Sequence, residues 1–183
     1  DEETSKTISL VDSTGNKSSK HICDVSKKKN IDLMIDEFLE VHGKIDVLVN
    51  NAIMQPQNKP FNEIDEEWWD YMMDLSLKGY FFACQKASKE MVKRGTKGSL
   101  ICISSVHSFR AAENWTPYGI AKIGVRRMVK GLAADLANTG INSNCIAPGA
   151  INNTIPEDDK VEPEAMDMPW VPSGRQGLPS DIS

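Results

Sequence analysis

The sequence contains 183 residues, 40% of them hydrophobic and 26% charged, and this length and balance predict one globular domain with a sizeable core. The formal net charge of −5 argues against a nucleic-acid partner, because neutralising phosphates requires clustered lysine and arginine side chains. No apolar run approaches the length that spans a bilayer and no signal peptide is evident, so we predict a cytoplasmic protein without a membrane partner.

The chain alternates helical and strand patterns up to about residue 147. Apolar residues at intervals of three and four predict amphipathic helices, and short β-branched runs bounded by glycine predict strands. In chain order, the predicted elements are a polar helix 2–14, a strand 20–25, a helix 27–42, a buried strand 45–50, a long helix 65–94, a strand 99–104, a helix 116–138 capped by Thr116 and a strand 141–147. Strands separated by helices predict an α/β fold, a doubly wound parallel sheet with helices on both faces.

Beyond Pro148 the periodic pattern is lost, and proline, glycine, asparagine and acidic residues dominate. We predict that residues 150–183 form a loop region around the substrate, with a short helix at 162–168. Residues 1–183 then make up a single Rossmann-like domain.

The four cysteines, Cys23, Cys84, Cys102 and Cys145, are scattered without metal-ligand spacing, and so are the three histidines. Three of the cysteines lie in apolar, strand-like runs, which suits small buried side chains. We therefore predict free thiols in a reducing compartment and no metal site.

A tyrosine and a lysine stand one helical turn apart near the start of the helix 116–138. Tyr118 and Lys122 share a helix face, and a cation beside a phenol lowers its pKa by roughly 1–3 units. The same spacing also occurs in exposed pairs that have no function. Ser105 lies thirteen positions before Tyr118, just beyond the strand 99–104. Because ligands bind beyond the carboxyl ends of parallel strands, we expect these three side chains to meet there.

Five motifs occur in the order in which one enzyme family carries them. They are Asn50-Asn51-Ala52 after a strand, the run Asp74–Gly79, the Ser105-to-Tyr118 spacing, Tyr118-x-x-x-Lys122, and Asn144-Cys145-Ile146-Ala147-Pro148-Gly149. With these motifs the chain resembles the short-chain dehydrogenase/reductase family over nearly its whole length, in an ordinary-length, glucose-1-dehydrogenase-like form. The resemblance implies a Rossmann-like oxidoreductase that transfers a hydride between NAD or NADP and an alcohol or carbonyl of a small-molecule substrate.

The resemblance also implies roles for individual residues. Tyr118 is the acid/base, Lys122 lowers its pKa and binds the nicotinamide ribose, and Ser105 hydrogen-bonds the substrate oxygen. Ser76 stands where the family has a catalytic asparagine, which helps a main-chain kink hold a water that links the lysine to solvent. Besides Tyr118 and Lys122, the implied cofactor contacts are Asp24 and Val25 at the adenine, Asn50 and Ala52 at the adenosine ribose, Pro148, Gly149 and Ile151 along the nicotinamide, and Thr154 near its carboxamide.

The chain departs from the family pattern at three positions. A serine can keep the kink, so we expect Ser76 to leave activity retained but reduced. Ile53 replaces the usual glycine and adds bulk close to the cofactor. Asn153 occupies the usual threonine position, with Thr154 one residue later.

None of the twelve glycines forms the phosphate-binding turn of the family, which needs a strand before it and a helix after it. We therefore expect a domain that is incomplete at both ends. It would lack that turn and the residue that selects NAD or NADP, and the chain alone would be inactive.

Two interpretations of the segment between Ser105 and Tyr118 stay open. Glu113, Asn114 and Trp115 suit a sugar or polyol, and an ordinary polar loop accounts for them equally well.

The alternative function is a non-catalytic fragment or degenerate relative that retains only the fold and oligomer contacts. A sugar-nucleotide epimerase of the same superfamily fits less well, because the Asn-Asn-Ala motif and the short connection to Pro-Gly argue against it.

The long helix 65–94 carries more large apolar side chains between residues 68 and 82 than one sheet-facing stripe can bury. Exposed patches of this kind usually mark partner sites. We predict a homo-oligomer, a dimer or a tetramer, in which by resemblance this helix and the helix 116–138 pair across a two-fold axis.

Overall fold

The computed structural model describes residues 2–54, 58–151, 171, 174 and 176–182. Its helices and strands are α1 (Glu2–Ser13), α2 (Lys28–His42), β1 (Val47–Asn50), α3 (Glu66–Met73), α4 (Gly79–Lys93), β2 (Ser99–Ile103), α5 (Thr116–Asp135) and β3 (Asn142–Ile146). A π-helical turn, Asp74–Lys78, joins α3 to α4, and short 3₁₀ turns lie at Phe61–Glu63, Val106–Ser108 and Pro179–Asp181. The predicted α/β class with a parallel sheet is confirmed.

Three parallel strands form the sheet in the order β1-β2-β3. Val47 of β1 stands opposite Ser99 of β2, which in turn stands opposite Asn142 of β3. The three strands correspond to three of the four predicted ones, each one or two residues shorter than expected. Because parallel strands in register end together, the loops that follow them meet at one edge of the sheet.

The predicted strand at 20–25 is wrong. These residues have no regular secondary structure, and the side chain of Ile22 is 94% exposed. A strand is stabilised by hydrogen bonds to a neighbouring strand. Within the described residues the sheet ends at β1 and β3, and neither pairs with this segment. An apolar run predicts that a segment is able to pair, but it does not say which strand lies beside it.

Helices α2, α4 and α5 pack together over one face of the sheet, where Leu100 and Cys102 are fully buried. The opposite face includes Val47 and Val49, which are 54% and 55% exposed. None of the described helices covers these two side chains. The prediction of a buried β1 is therefore wrong for these two side chains.

The amphipathic pattern of α2 is confirmed by its packing. Ile31, Ile35 and Leu39 are buried in the core against α4, and burying each side chain of this kind contributes about 1.5–3 kcal/mol. Gly43 ends the helix at a φ of 81°, a conformation that favours glycine. No helix in the described part of the chain has the length and apolar character needed to cross a membrane.

The long helix predicted at 65–94 is continuous but not uniform. Asp65 caps its start, where the carboxylate accepts a hydrogen bond of 2.7 Å from the backbone N–H of Trp68. The π turn then widens the helix. Directly after it, Gly79 lies so close to Val25 that an added Cβ would stand 2.4 Å from the Val25 carbonyl oxygen. Glycine therefore lets α4 lie against that segment.

The helix α5 begins at Thr116, with Pro117 in its first turn. The prediction that Thr116 is the N-cap is wrong by one residue, since Trp115 flanks the helix and makes no side-chain cap hydrogen bond. The predicted inward stripe is confirmed, with Val125 fully buried and Met128 packed against the core. Helix ends depend on local hydrogen bonds that a periodic pattern does not resolve.

The region after β3 is described only in part. Ile151 forms a parallel bridge with Gly177, whose N–H donates to the Ala150 carbonyl oxygen at 2.8 Å. The helix predicted at 162–168 and Thr154 lie outside the described residues.

Candidate active site

The carboxyl end of β2 is fastened to the start of α5 and to the end of β3. The Ser104 hydroxyl donates to the Lys122 carbonyl oxygen at 3.0 Å. The Val106 N–H donates to the Pro148 carbonyl oxygen at 3.0 Å. Ser105 lies between these two anchors, so its position is fixed relative to both neighbouring elements.

Ser105 and Tyr118 come together as the sequence predicted. Both are 6% exposed, and the Ser105 hydroxyl lies close enough to the Tyr118 phenol to affect its pKa. Ser105 Oγ also accepts from the His107 N–H at 3.2 Å. Burial raises the pKa of Tyr118, and the neighbouring Ser105 hydroxyl offsets that rise only in part. The pair therefore places a protonated phenol beside a second hydroxyl at the edge of the sheet.

Lys122 lies beside this pair and is 1% exposed. Its Nζ donates to the Ile103 carbonyl oxygen at 2.8 Å and to the Tyr80 hydroxyl at 3.5 Å, and it lies 5.7 Å from the ring centroid of Tyr118. Burial lowers the pKa of Lys122 to about 8. The ammonium bonds to Ile103 and Tyr80, and burial of the phenol dominates the Tyr118 pKa in this arrangement, so its lowering by Lys122 stays a prediction.

Tyr80 is a site residue that the sequence did not reveal, because we assigned it to the apolar surplus of the long helix. Its side chain is 2% exposed, and its hydroxyl donates to the Ala52 carbonyl oxygen at 3.1 Å. Burial raises the pKa of this phenol. The available signal was its position four residues after Ser76, on the same helix face.

Ser76 lies within the π turn and is fully buried. Its hydroxyl donates to the Met72 sulfur at 3.5 Å, one turn earlier in the same helix. The wide turn expected at this position is therefore present, and the serine hydroxyl bonds within its own helix.

An aromatic cluster borders the phenol of Tyr118. The rings of His107 and Trp115 stack with centroids 4.4 Å apart and planes 6° apart, and each meets the Tyr118 ring edge to face. Burial lowers the pKa of His107, and its buried Nδ1 has no hydrogen-bond partner among the described residues. A neutral imidazole therefore lies in the wall beside the reactive hydroxyl groups.

Asp24 and Val25, the residues expected at the adenine, lie next to α4. Asp24 Oδ1 accepts from the Ser26 N–H at 3.0 Å and from its hydroxyl at 2.7 Å, and these bonds lower the pKa of the exposed carboxyl group. Val25 is half-buried, with its carbonyl oxygen against Gly79. The carboxylate is thus held in one orientation by its own turn.

Asn50 and Ala52, the residues expected at the adenosine ribose, differ in burial in the structure. The Asn50 side chain is 8% exposed and turned into the core, where Nδ2 donates to the sulfur atoms of Cys84 at 3.2 Å and Cys102 at 3.5 Å. Only its backbone is therefore available at the sheet edge. Asn51 and Ala52 are exposed there.

Pro148 and Gly149 reach the same edge, because the Pro148 carbonyl oxygen is bonded to Val106 beside Ser105. Gly149 is exposed, and an added Cβ would make only an ordinary contact of 3.9 Å with Val106. Ile151 follows, half-buried against Gly177.

The edge of the sheet fits parts of a nicotinamide dinucleotide. An ammonium has three N–H donors, and the Lys122 side chain uses two of them inside the protein, which leaves one for a ribose hydroxyl. The oriented Asp24 carboxylate and the exposed Asn51 and Ala52 suit the adenosine end. These 183 residues contain no glycine-rich turn for the pyrophosphate.

Known proteins are similar to the whole chain. A family model described as enoyl-(acyl carrier protein) reductase matches residues 1–183. The chain is 35% identical over 184 residues to 2-dehydro-3-deoxy-D-gluconate 5-dehydrogenase of Escherichia coli strain K12, covering 98% of this chain and 72% of that protein. It is 32% identical over 186 residues to 3beta-hydroxysteroid dehydrogenase 1 of Eggerthella lenta, covering 100% and 71%. The crystal structure of acetoin dehydrogenase from Salmonella typhimurium superposes with a TM-score of 0.88 at 27% identity, covering 95% and 68%.

The parallel α/β fold and these matches define an oxidoreductase that works with a nicotinamide cofactor. With these matches, the chain belongs to the short-chain dehydrogenase/reductase family. The predicted family, the Rossmann-like fold and the use of NAD or NADP are confirmed.

Proposed function

We propose that this protein oxidises and reduces a polyhydroxylated substrate, a sugar, sugar acid or polyol, in the manner of a glucose dehydrogenase. The single observation that carries its chemistry is the convergence of Ser105, Tyr118 and Lys122 at one buried corner of the sheet edge.

In the oxidising direction, Tyr118 accepts the proton of the substrate hydroxyl while Ser105 holds the substrate oxygen by a hydrogen bond. The bound nicotinamide supplies the hydride acceptor. Lys122 donates its remaining N–H to the nicotinamide ribose and provides positive charge near the phenol as the phenol becomes anionic. In the reducing direction the same phenol returns its proton to the carbonyl oxygen.

The wall of the site supports a polyhydroxylated substrate. The stacked rings of His107 and Trp115 offer an apolar face beside the reactive hydroxyl groups. Glu113 and Asn114 add polar groups in the loop before Tyr118. The Escherichia coli relative, a dehydrogenase of a deoxygluconate, acts on a substrate of this class by its name.

For the cofactor, we propose that Asp24 and Val25 border the adenine, and that the Asn50 backbone and Ala52 border the adenosine ribose. Pro148, Gly149, Ile151 and Thr154 would line the nicotinamide, with Tyr118 and Lys122 at its ribose. Because the sequence contains no glycine-rich turn for the pyrophosphate, we expect the 183-residue chain to bind NAD or NADP weakly. Calorimetry with both dinucleotides tests this, and micromolar affinity of either would contradict it.

We also propose a homo-oligomer, a dimer or tetramer, built on the outer faces of α3, α4 and α5. Trp69, Phe81, Ile120 and Ile123 are between 37% and 52% exposed there. Met72 and Tyr80, which we counted with this surface from the sequence, lie in the core instead. A cavity of about 460 Å³ lined mainly by apolar side chains, Phe81 and Met128 among them, lies between these helices. Light scattering tests the proposal, and a monomer at high concentration would end it.

A cytoplasmic location remains part of the proposal. The four cysteines are free thiols, which fits a reducing compartment.

The alternative is a non-catalytic relative that keeps only the fold and its partner contacts. The missing phosphate turn favours it for the isolated chain. The buried, hydrogen-bonded arrangement of Ser105, Tyr118 and Lys122 favours an enzyme.

The experiment that decides the function uses the protein encoded by the complete reading frame that contains these residues. Nicotinamide absorbance is followed with sugar acids, polyols, sugars and a sterol as substrates. Tyr118→Phe removes the transferable proton and keeps the ring, so turnover should fall by about 10²–10⁴-fold with dinucleotide affinity retained. Tyr71→Phe, which removes a phenolic hydroxyl from a 46% exposed side chain, is the matched control. Turnover that survives Tyr118→Phe would refute the mechanism, and a sterol preference would refute the substrate class.

A further inference from the structure

The hydroxyl of Tyr80 lies between the ammonium of Lys122 and the carbonyl of Ala52. We propose that Tyr80 is a positioning residue for Lys122: its hydroxyl accepts a hydrogen bond from the ammonium and donates one to the Ala52 carbonyl. The lysine is thereby tied to the loop that follows β1. The role of this contact in turnover rests on the proposed function, whereas the contact itself does not.

Burial makes the contact necessary. Lys122 and Tyr80 are 1% and 2% exposed, and an ammonium removed from water is costly unless polar groups surround it. The Ile103 carbonyl oxygen, 2.8 Å from Nζ, is one such group, and the Tyr80 hydroxyl, 3.5 Å from Nζ, is the other. The ring of Tyr80 adds a third interaction, since Nζ lies 4.9 Å from its centroid.

The Ser76 hydroxyl is bonded away from Lys122, and Tyr80 contacts the lysine instead. In the family that this chain resembles, an asparagine at this position helps to connect the lysine to solvent through a water. Here the Ser76 hydroxyl is bonded to the Met72 sulfur in the same helix. Tyr80, one helical turn further along, reaches the lysine directly and continues to the exposed loop at Ala52. The connection between lysine and sheet edge is thus made by a side chain.

The Tyr80 hydroxyl also affects the pKa of Lys122. As an acceptor it stabilises the ammonium and not the neutral amine, so it opposes the effect of burial on Lys122. Removing the hydroxyl while keeping the ring should therefore lower the pKa of the lysine further below its ordinary value.

The test is a titration of Lys122 by heteronuclear NMR in the complete protein, with lysine labelled at Cε and Nζ. In wild type the expected midpoint is about 8. In Tyr80→Phe we expect it to fall by roughly half a unit to one unit, the loss of one long hydrogen bond to a charged group. Tyr71→Phe should leave the midpoint unchanged. A folded Tyr80→Phe variant with the wild-type midpoint would overturn the proposal.

A second measurement needs no variant to fold. With tyrosine labelled at Cζ in wild type, the Tyr80 signal should move with the midpoint of Lys122, because the two groups are in contact. A Tyr80 signal that is insensitive to the lysine titration would also overturn the proposal.

Turnover separates this proposal from the proposed function. In an active enzyme, the alkaline limb of the pH profile of kcat should move to lower pH in Tyr80→Phe, by the shift seen in the NMR titration. If the NMR shift occurs and no substrate is turned over, the proposed function fails and the role of Tyr80 in placing the lysine stands.

Discussion

Two regions of the sheet edge are built in different ways. The proposed catalytic corner, comprising Ser104–Val106, Tyr80, Tyr118 and Lys122, is largely buried and held by hydrogen bonds between β2, α4, α5 and the segment after β3. The proposed adenine edge, comprising Asp24–Ser26 and Asn51–Ala52, is mostly exposed. Its carboxylate is oriented by bonds within a three-residue turn.

The two regions illustrate two ways of fixing the position of a functional group: bonds within a local turn, and a buried network of hydrogen bonds. A local turn fixes Asp24 at little cost and tolerates change, because water replaces any contact that is lost. In the corner no water replaces a lost partner, so each polar group depends on the others. Substitutions should therefore have large effects in the corner and small effects at the edge, unless they alter the packing beneath the edge.

The largest expected effect is that of Lys122→Met in the complete protein. Removing the charge beside the reacting oxygen should lower kcat at least about 10²-fold, and the lost ribose contact should weaken dinucleotide binding as well. Lys130→Met, eight residues further along α5 at an exposed position, is the control and should match wild type. Steady-state kinetics and calorimetry measure both quantities. If the two variants have equal kcat, the corner does not contain the catalytic cation.

The second prediction concerns the packing beneath the adenine edge. In Gly79→Ala the new Cβ would lie 2.4 Å from the Val25 carbonyl oxygen, and moving backbone apart at a packed contact costs about 1–3 kcal/mol. Gly131→Ala, at a helical glycine with only the flexible Arg127 side chain nearby, should instead stabilise by up to about 1 kcal/mol. Urea unfolding of both variants measures the difference. Equal free energies of unfolding would show that α4 does not press on this segment.

The third prediction uses the buried charge as a probe of stability. The folded pKa of Lys122 is about 8, below its ordinary value of 10.5, so folding disfavours the protonated form. This penalty is complete below the folded pKa and disappears as the pH rises towards the unfolded pKa. Wild type should therefore gain about 2 kcal/mol relative to Lys122→Met between pH 7 and pH 9.5. Urea unfolding at the two pH values measures it, and a difference that is independent of pH would mean that the ammonium is solvated.

The smallest expected effect is that of Asp24→Asn at the adenine edge. The side chain is exposed, so neither kcat nor the free energy of unfolding should change measurably. Dinucleotide affinity should fall by only a few-fold, because the amide oxygen can still accept the hydrogen bonds of Ser26. A loss of turnover comparable with that of Lys122→Met would erase the distinction between the two regions.

Part of this arrangement was predictable from the sequence, because it depends on short-range periodicity. The apolar stripe of α2 and the strands around Leu48, Leu100 and Cys145 follow from spacing alone. The meeting of Ser105 with Tyr118 follows from the rule that ligands gather beyond the carboxyl ends of parallel strands.

The features that the sequence did not predict have a common physical origin in contacts between distant parts of the chain. The segment at 20–25 has the composition of a strand, but no described strand lies beside it. Asn50 belongs to a cofactor motif, yet its amide is drawn inward by two buried thiols. From the sequence Tyr80 belongs to the surplus apolar surface of the long helix, whereas in the structure its hydroxyl contacts Lys122 of another helix. In each case the partner is too far away in the sequence for local periodicity to reveal the contact.

The π turn has a consequence for the phase of the long helix. Met72, Ser76, Tyr80, Cys84 and Ser88 are all buried, which is a repeat of four residues. An α-helix of 3.6 residues per turn rotates such a stripe by about 40° at each step, so a uniform helix would carry Cys84 and Ser88 round to another side. The wide turn at Asp74–Lys78 takes up part of that rotation. Deleting one residue from it, such as Leu77, would rotate the two halves by about 100° relative to each other while changing the composition hardly at all. Either Met72 or Tyr80 would then have to leave the interior.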